Sequence, residues 1–223
     1  IEYCTVVNNL TENIQYSGGI HASNYGNAVL KGTVSINNSP YDVGIGTVAH
    51  TDTLFVEYSN IDSLSVIGDG LIISGSGNID VDPMFVDTAN GNYHLLASSM
   101  LTNAGHPDST DSDGTVADIG AYPYLNSFSG PIWYVQTDGS DTDGTGSSSS
   151  PFASIQSAIN FATTDGDSVN VAAGTYVENV NFRGRNIKVV GSDSSNTIID
   201  GNQSGSVVLF NSGEDSTAIL KKF

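Results

Sequence analysis

The chain has 223 residues, enough for one large or two small domains, and its 38% hydrophobic content can supply a core. Only 13% of its residues are charged, well under the roughly 25% of an average globular domain, so Ser, Thr, Asn and Gly must supply most of the polar surface. With 24 acidic residues against 6 Lys and Arg the net charge is −18; such a field argues against nucleic acid as a partner and favours cations or a salty medium.

The first residues, 1–7, already read as strand, so the lack of a visible signal peptide carries no information. Cys4 has no partner for an internal disulfide and is expected as a small buried side chain rather than a reactive thiol. Residues 1–80 hold short apolar runs at 3–7, 28–30, 34–36, 53–58 and 71–73, separated by Asn, Gly, Ser and Asp. Similar polar turns follow several of them. Asn9 and Asn38 lie 29 residues apart, and Asn38 and Asn60 lie 22 apart. Unequal spacing of this size suits a coil of constant strands joined by variable loops. Clean hairpin signals, which a sandwich or propeller would show, are few. Asn8, Asn9, Asn37, Asn38 and Asn60 are expected to form a hydrogen-bonded ladder in the turns. Tyr3, Tyr16, Tyr25, Tyr41 and Tyr58 could line a sugar-binding face, but stacking between turns of the coil is the preferred expectation.

Residues 78–85 read as a strand and turn, with Pro83 forcing an extended entry, and 91–96 as a short strand. An acidic loop follows at 108–118, 118–124 closes the unit, and 126–131 is expected as a linker. The second half opens with a strand at 132–135 and an Asp/Gly/Ser/Thr loop at 137–150. Ser150 is the expected N-cap of a helix, Pro151 its first residue, and Ile155, Ala158, Ile159 and Ala162 its apolar stripe. Strands are expected at 168–171, 177–182, 187–190, 197–199, 207–210 and 218–220, punctuated by glycines. Short strands alternating with tight polar turns are the pattern of a parallel β solenoid. No polybasic segment and no apolar run of about 18 residues is present, so no membrane span is expected.

Trp133, Tyr134 and Val135, then Gly139, Gly144, the 150–160 segment (SPFASIQSAIN) and the 166–180 segment (GDSVNVAAGTYVENV) resemble the N-terminal cap and first repeat of the pectin-lyase-like superfamily. Residues 197–201 (TIIDG) are similar to a following repeat. Upstream, 82–85 (DPMF), 91–95 (GNYHL), 103–107 (NAGHP) and 111–122 (DSDGTVADIGAY) resemble, in that order, the C-terminal end of bacterial surface β-helix proteins. Ser99, Met100 and Leu101 depart from the turn such proteins carry there. The resemblances imply an all-β fold, a right-handed parallel β-helix (solenoid) with one short capping α-helix near 150–162. They imply the tail of one β-helix at 1–125, a linker at 126–131 and the head of a second at 132–223. They also imply a secreted or cell-surface location and a piece of a longer polypeptide with open edges at both ends. A linker of about seven residues reaches at most roughly 25 Å, so those edges are expected to meet between chains.

Two acidic loops are the metal candidates: Asp108, Asp111, Asp113 and Asp118 around Gly114, and Asp138, Asp141 and Asp143 around Gly139 and Gly144. Calcium (Ca2+) takes six to eight hard oxygens, and Asp-x-Asp-Gly supplies two carboxylates and a sharp turn. Neither loop completes the helix–loop–helix calcium pattern, and the competing reading is a solvated acidic turn. The basic residues Lys31, Arg183, Arg185 and Lys188 are the few candidates for lyase chemistry, with Arg183 and Arg185 expected as surface charge and Glu178 as structural. His21, His50, His94 and His106 are scattered, with no zinc motif, nucleophile elbow or phosphate loop. The function expected is a non-catalytic secreted or cell-surface β-helix module with a structural or carbohydrate-binding role. Its partners would be polysaccharide, or other copies through open β-helix ends. The alternative is part of a polysaccharide lyase or pectin-esterase-like enzyme whose catalytic repeats lie outside this chain.

Overall fold

Strands of two to five residues dominate this protein, and such strands gain stability only by pairing. The computed structural model describes residues 1–13, 16–23, 27–47 and 52–223. The chain divides into two units, Ile1–Leu95 with Met100–Leu125, and Leu96–Ser99 with Asn126–Phe223. The structure is mostly β, with parallel sheets and, among the described residues, one α-helix.

In unit 1 the strands are β1 (Thr5–Val7), β2 (Ile20–Ser23), β3 (Ala28–Lys31), β4 (Val34–Ile36), β5 (Val43–Thr47), β6 (Thr53–Glu57), β7 (Asn60–Ile61), β8 (Leu64–Gly68) and β9 (Leu71–Ser74). The chain visits three parallel sheets in rotation, ordered β1-β4-β7, β2-β5-β8 and β3-β6-β9. Thr5 pairs with Val34 and Val34 with Asn60. Each strand turns alternate residues inward, so Leu30, Val43, Ile45, Leu54 and Val56 form the core, with Ile20, Ala22, Ala28, Ile61 and Ile72 against it. Strands β2, β5 and β8 were not expected, because His21, Gly44, Gly46 and Ser65 break the apolar runs that mark the others.

The turns stack as the strands do. Tyr3, Gly32, Tyr58 and Gly77 occupy equivalent positions, with left-handed φ of 48°, 61°, 46° and 71°. A Cβ on Gly32 would overlap the Tyr3 ring, and one on Gly77 the Tyr58 ring. Tyrosine and glycine therefore alternate up the column, each ring lying over the next glycine. A polar column follows at the next position. Thr33 Oγ1 accepts from Cys4 N (3.5 Å), Ser59 Oγ from Thr33 N (3.2 Å), and Asn78 Oδ1 from Ser59 N (3.1 Å). The asparagine ladder exists in part. Asn38 Oδ1 accepts from Asn9 N at 2.9 Å, and Asn38 Nδ2 donates to Val6 O at 3.0 Å. Asn60 is out of line with it, paired with Val34 and bonded through its amide to Val81. Tyr25 lies outside the described residues.

In residues 78–84 the expected strand is reduced to one parallel bridge, Ile79 to Asn60, and the rest is irregular. Strands β10 (Phe85–Asp87) and β11 (Asn92–Leu95) then form an antiparallel pair around a 3-10 turn. The remainder of the unit folds back onto its first strands: Gly120 N donates to Gly32 O (2.8 Å) and Ala121 N to Thr5 Oγ1 (3.0 Å).

Unit 2 contains β12 (Ile132–Val135), α1 (Ile155–Phe161), β13 (Ser168–Val171), β14 (Gly174–Val177), β15 (Val180–Asn181), β16 (Lys188–Gly191), β17 (Thr197–Asp200), β18 (Val208–Leu209) and β19 (Ile219–Lys221). Its sheets are parallel, ordered β12-β13-β16-β19, β14-β17 and β15-β18. All seven residues of α1 are buried. Trp133 Nε1 donates to Asp167 Oδ2 at 3.3 Å, and its ring packs with Phe152 and Phe161. The helix starts later than expected, capped by Ser154 rather than Ser150. Phe152 is held extended beside Val135, its N donating to Tyr134 O and its O accepting from Gln136 N, so no helix can begin before it. Residues 126–131 pack against this unit: Asn126 Nδ2 donates to Thr145 O, and Phe128 meets Trp133 edge-on.

Gly32→Ala is expected to destabilise unit 1 by about 2 kcal/mol, from the positive φ and the collision with Tyr3. Adding Tyr3→Gly should restore part of that loss, a non-additivity readable in a urea-melt double-mutant cycle.

Candidate functional site

The first acidic loop is a tight hairpin. Thr110 and Val116 bridge antiparallel, Gly114 turns with φ of 87°, and Asp113 Oδ1 accepts from Thr115 N (3.0 Å) and Oγ1 (2.8 Å). Asp111 Oδ2 accepts from Asp118 N at 2.9 Å. Asp118 is 2% exposed. Its Oδ1 accepts from Asn103 N and its Oδ2 from Tyr124 N, each at 2.7 Å. Asp108 stands apart and exposed, 4.0 Å from His106 Nδ1. Two opposed effects act on Asp118. Its short N–H bonds favour the anion, while burial first, then the charges of Asp111 and Asp113, favour the acid. Burial wins and pushes the carboxyl up to about 7.

The second loop delivers one carboxylate inward. Asp141 Oδ1 accepts from Ala153 N (2.9 Å), Ser154 N (3.2 Å) and Ser157 Oγ (2.7 Å), while Asp138 and Asp143 are exposed. Glu178, on the far side of the helix start, accepts Ile155 N at 2.8 Å and Gln156 N at 2.9 Å. These are N–H groups with no partner inside the helix, and the carboxylates sit where the helix dipole favours negative charge. Arg183 and Arg185, expected as surface charge, hold the other end instead: Arg185 Nη1 donates to Ile159 O and Arg183 Nη1 to Asn160 Oδ1 (2.7 Å). Burial, with Arg183 alongside, pulls Arg185 down to about 9 against the opposing pull of Asp167, so it stays a cation at neutral pH. Asp111, Asp113, Asp118 and Asp141 thus serve as turn and cap acceptors. Among the described residues, no group of three or more His, Cys, Asp or Glu side chains is arranged to hold a metal ion.

Among the described residues the histidines do not converge. His21 bonds to Ser17 N through Nδ1, His94 leans on Tyr122, His106 meets Tyr58, and His50 lies outside the described residues.

Sequence reasoning missed a groove of about 330 Å³ on the outer face of unit 2, over the ends of β12, β13 and β16. Trp133 and Val135 point inward, so Tyr134 between them faces out, beside Asn170 and Val190 of the paired strands. Gln136, Ser192 and Lys222 complete the polar lining. A side chain at Gly191 would overlap Lys222 O, so the glycine is what lets the chain close that wall. The alternation at 133–135 could have signalled an outward tyrosine; the identity of its neighbours could not be read, since it depends on loop lengths. No family model, curated protein or solved structure matches this chain.

Two measurements check these roles. The folded value of Asp118 lies above its unfolded value, so its contribution to stability is complete below about pH 4 and is lost as pH rises through about 7. On the order of 4 kcal/mol is at stake. The stability difference between wild type and Asp118→Asn should therefore be larger at about pH 5 than at about pH 8 in urea melts. Glu178→Ala leaves two helix N–H groups unsatisfied and should cost unit 2 about 2–4 kcal/mol, with loss of protection at Ile155 and Gln156 in amide exchange.

Proposed function

We propose that each unit is a right-handed parallel β-helix of the pectin-lyase-like kind, and that the chain is a secreted or cell-surface module with a structural and carbohydrate-binding role. The rotation of the chain through three parallel sheets in unit 1, with like residues stacked in columns, supports the solenoid. The carbohydrate reading is carried by one observation, the outward Tyr134 standing in an open groove lined also by Asn170, Gln136, Ser192 and Lys222. Aromatic rings pack against the apolar faces of sugars, and a few fixed polar groups orient what lies on them. A non-catalytic role is supported by the disposition of the carboxylates, since Asp111, Asp118, Asp141 and Glu178 are engaged with backbone N–H groups.

Titration with neutral and uronate oligosaccharides, followed by amide chemical shifts, should move Tyr134, Asn170 and Ser192. Tyr134→Ala should weaken binding by about tenfold or more with the circular dichroism unchanged. Absence of shifts at the groove would overturn the binding role. Unsaturated products or released methanol would overturn the non-catalytic one.

A further inference from the structure

The chain carries 6 Lys and Arg against 24 acids, and the six are not spread evenly. Arg183 and Arg185 are engaged at the end of α1, and Lys31 faces Glu57 at 3.7 Å. The other three, Lys188, Lys221 and Lys222, gather at one sheet of unit 2. Val189 and Gly191 of β16 are buried, so Lys188 and Val190 face out, and strand pairing puts Ile219 and Lys221 of β19 on the same side. One row across the four strands therefore runs Tyr134, Asn170, Val190, Lys221. Lys188 stands in the next row, its Cα about 8 Å from that of Lys221 by strand spacing. Lys222 lines the groove. None of the outward positions on these strands holds a carboxylate. Among the described residues none of the three ammonium groups has an acid within 4.0 Å. Asp193, which follows Ser192, has its carboxylate engaged by Ser195 N and Asn196 Nδ2.

We propose that the groove is one end of a longer site for a polyanionic glycan, with a sugar ring on Tyr134 and acidic groups on Lys188, Lys221 and Lys222. This rests on the carbohydrate reading of the groove and adds the charge of the ligand. Tyr134 and Lys221 are three strand spacings apart, about 14 Å, so a chain of sugars rather than a single one touches both. The lysines select by charge. Each is a compact point charge, whereas the planar fork that matches a carboxylate in two places belongs to arginine, and both arginines are taken up by the helix. Sulfate and carboxylate groups are therefore accepted alike. The −18 of the whole chain opposes a polyanion. In about 0.15 M salt, however, exposed charges beyond about 8 Å are largely screened, so the lysines under the ligand prevail over acids elsewhere.

The test uses a neutral glucan oligomer, the same oligomer sulfated, and a uronate oligomer of equal length, each titrated calorimetrically into the chain in about 0.15 M NaCl. The sulfated and uronate forms should bind alike, about fivefold or more tighter than the neutral one. Lys188→Gln combined with Lys221→Gln should bring both down to the neutral level, whereas Tyr134→Ala should weaken all three. Equal binding of neutral and anionic probes, or a sulfated form no better than its parent, would overturn the inference and leave the carbohydrate reading standing. So would an anionic advantage that survives the double substitution in a folded protein. Polyglutamate binding as tightly as the sulfated oligomer would overturn the choice of a glycan. Absence of binding by every probe is instead the failure of the carbohydrate reading itself. If the double variant unfolds, lysine side-chain resonances decide: those of Lys188 and Lys221 should move with the anionic probes and stay in place with the neutral one.

Discussion

Register between one passage of the chain and the next is the constraint on which this structure rests. Among the described residues no strand exceeds five residues, so none can bury an apolar face alone. In unit 1 each of β4 to β9 meets the strand three places earlier in parallel register. Once Thr5 stands beside Val34, the neighbouring columns follow, because a one-residue slip would turn Val34, Leu30 and Leu54 out of the core. The turns obey the same rule. Left-handed backbone at Tyr3 and Tyr58 costs roughly 1–2 kcal/mol each, offset by rings that cover the glycines of the next passage. Position in the column, rather than local propensity, decides which residue can stand where.

Unit 2 applies the same logic to a helix. At seven residues α1 is far too short to be stable in isolation. Its ends are satisfied by groups distant in sequence: Asp141 and Glu178 at its start, Arg183 and Arg185 at its finish. The helix is buried on all its residues, including Gln156 and Asn160. Asn181 N donates to Gln156 Oε1, and Asn160 Nδ2 donates to Ala97 O and Ser99 O, which ties residues 97–99 to this unit. The polar face that would normally meet solvent is used as a hydrogen-bonded joint.

What could be read from the sequence follows from which forces are local. The runs at 34–36, 53–57 and 168–171 show as strands because their apolar residues are contiguous or alternate. The helix stripe at Ile155, Ala158, Ile159 and Ala162 shows for the same reason, but its start does not, since pairing of Phe152 with Val135 outweighs the capping preference of Ser150 and Pro151. Loop lengths hid the rest. Asn60 looks like the successor of Asn38, yet the unequal loops bring it beside Val34 instead. The acidic loops were visible as clusters of carboxylate. The N–H groups they accept, from Asn103, Tyr124, Ala153 and Ser154, are set by folding and could not be seen. The neighbours of Tyr134 in the groove were hidden for the same reason.

The acidity of the chain then has a structural explanation. With few cations to pair, carboxylates are matched to N–H groups, and burial sorts them into two classes. At exposed turns the bonds prevail: Asp193 is held low by the Asn196 amide and Ser195 N, and Asp215 by Thr217 through its hydroxyl and N–H. These contributions are present above the ordinary carboxylate range and lost as pH falls through it. At Asp118, Asp111 and Glu178 burial prevails and the carboxyls rise, so their contribution runs the other way, present in acid and lost towards neutrality. Acid therefore withdraws the stabilisation of the exposed turns while relieving the cost of buried charge at Asp118, Asp111 and Glu178. The two classes oppose each other across the carboxylate range, which spreads the pH response of the fold over several turns and clamps.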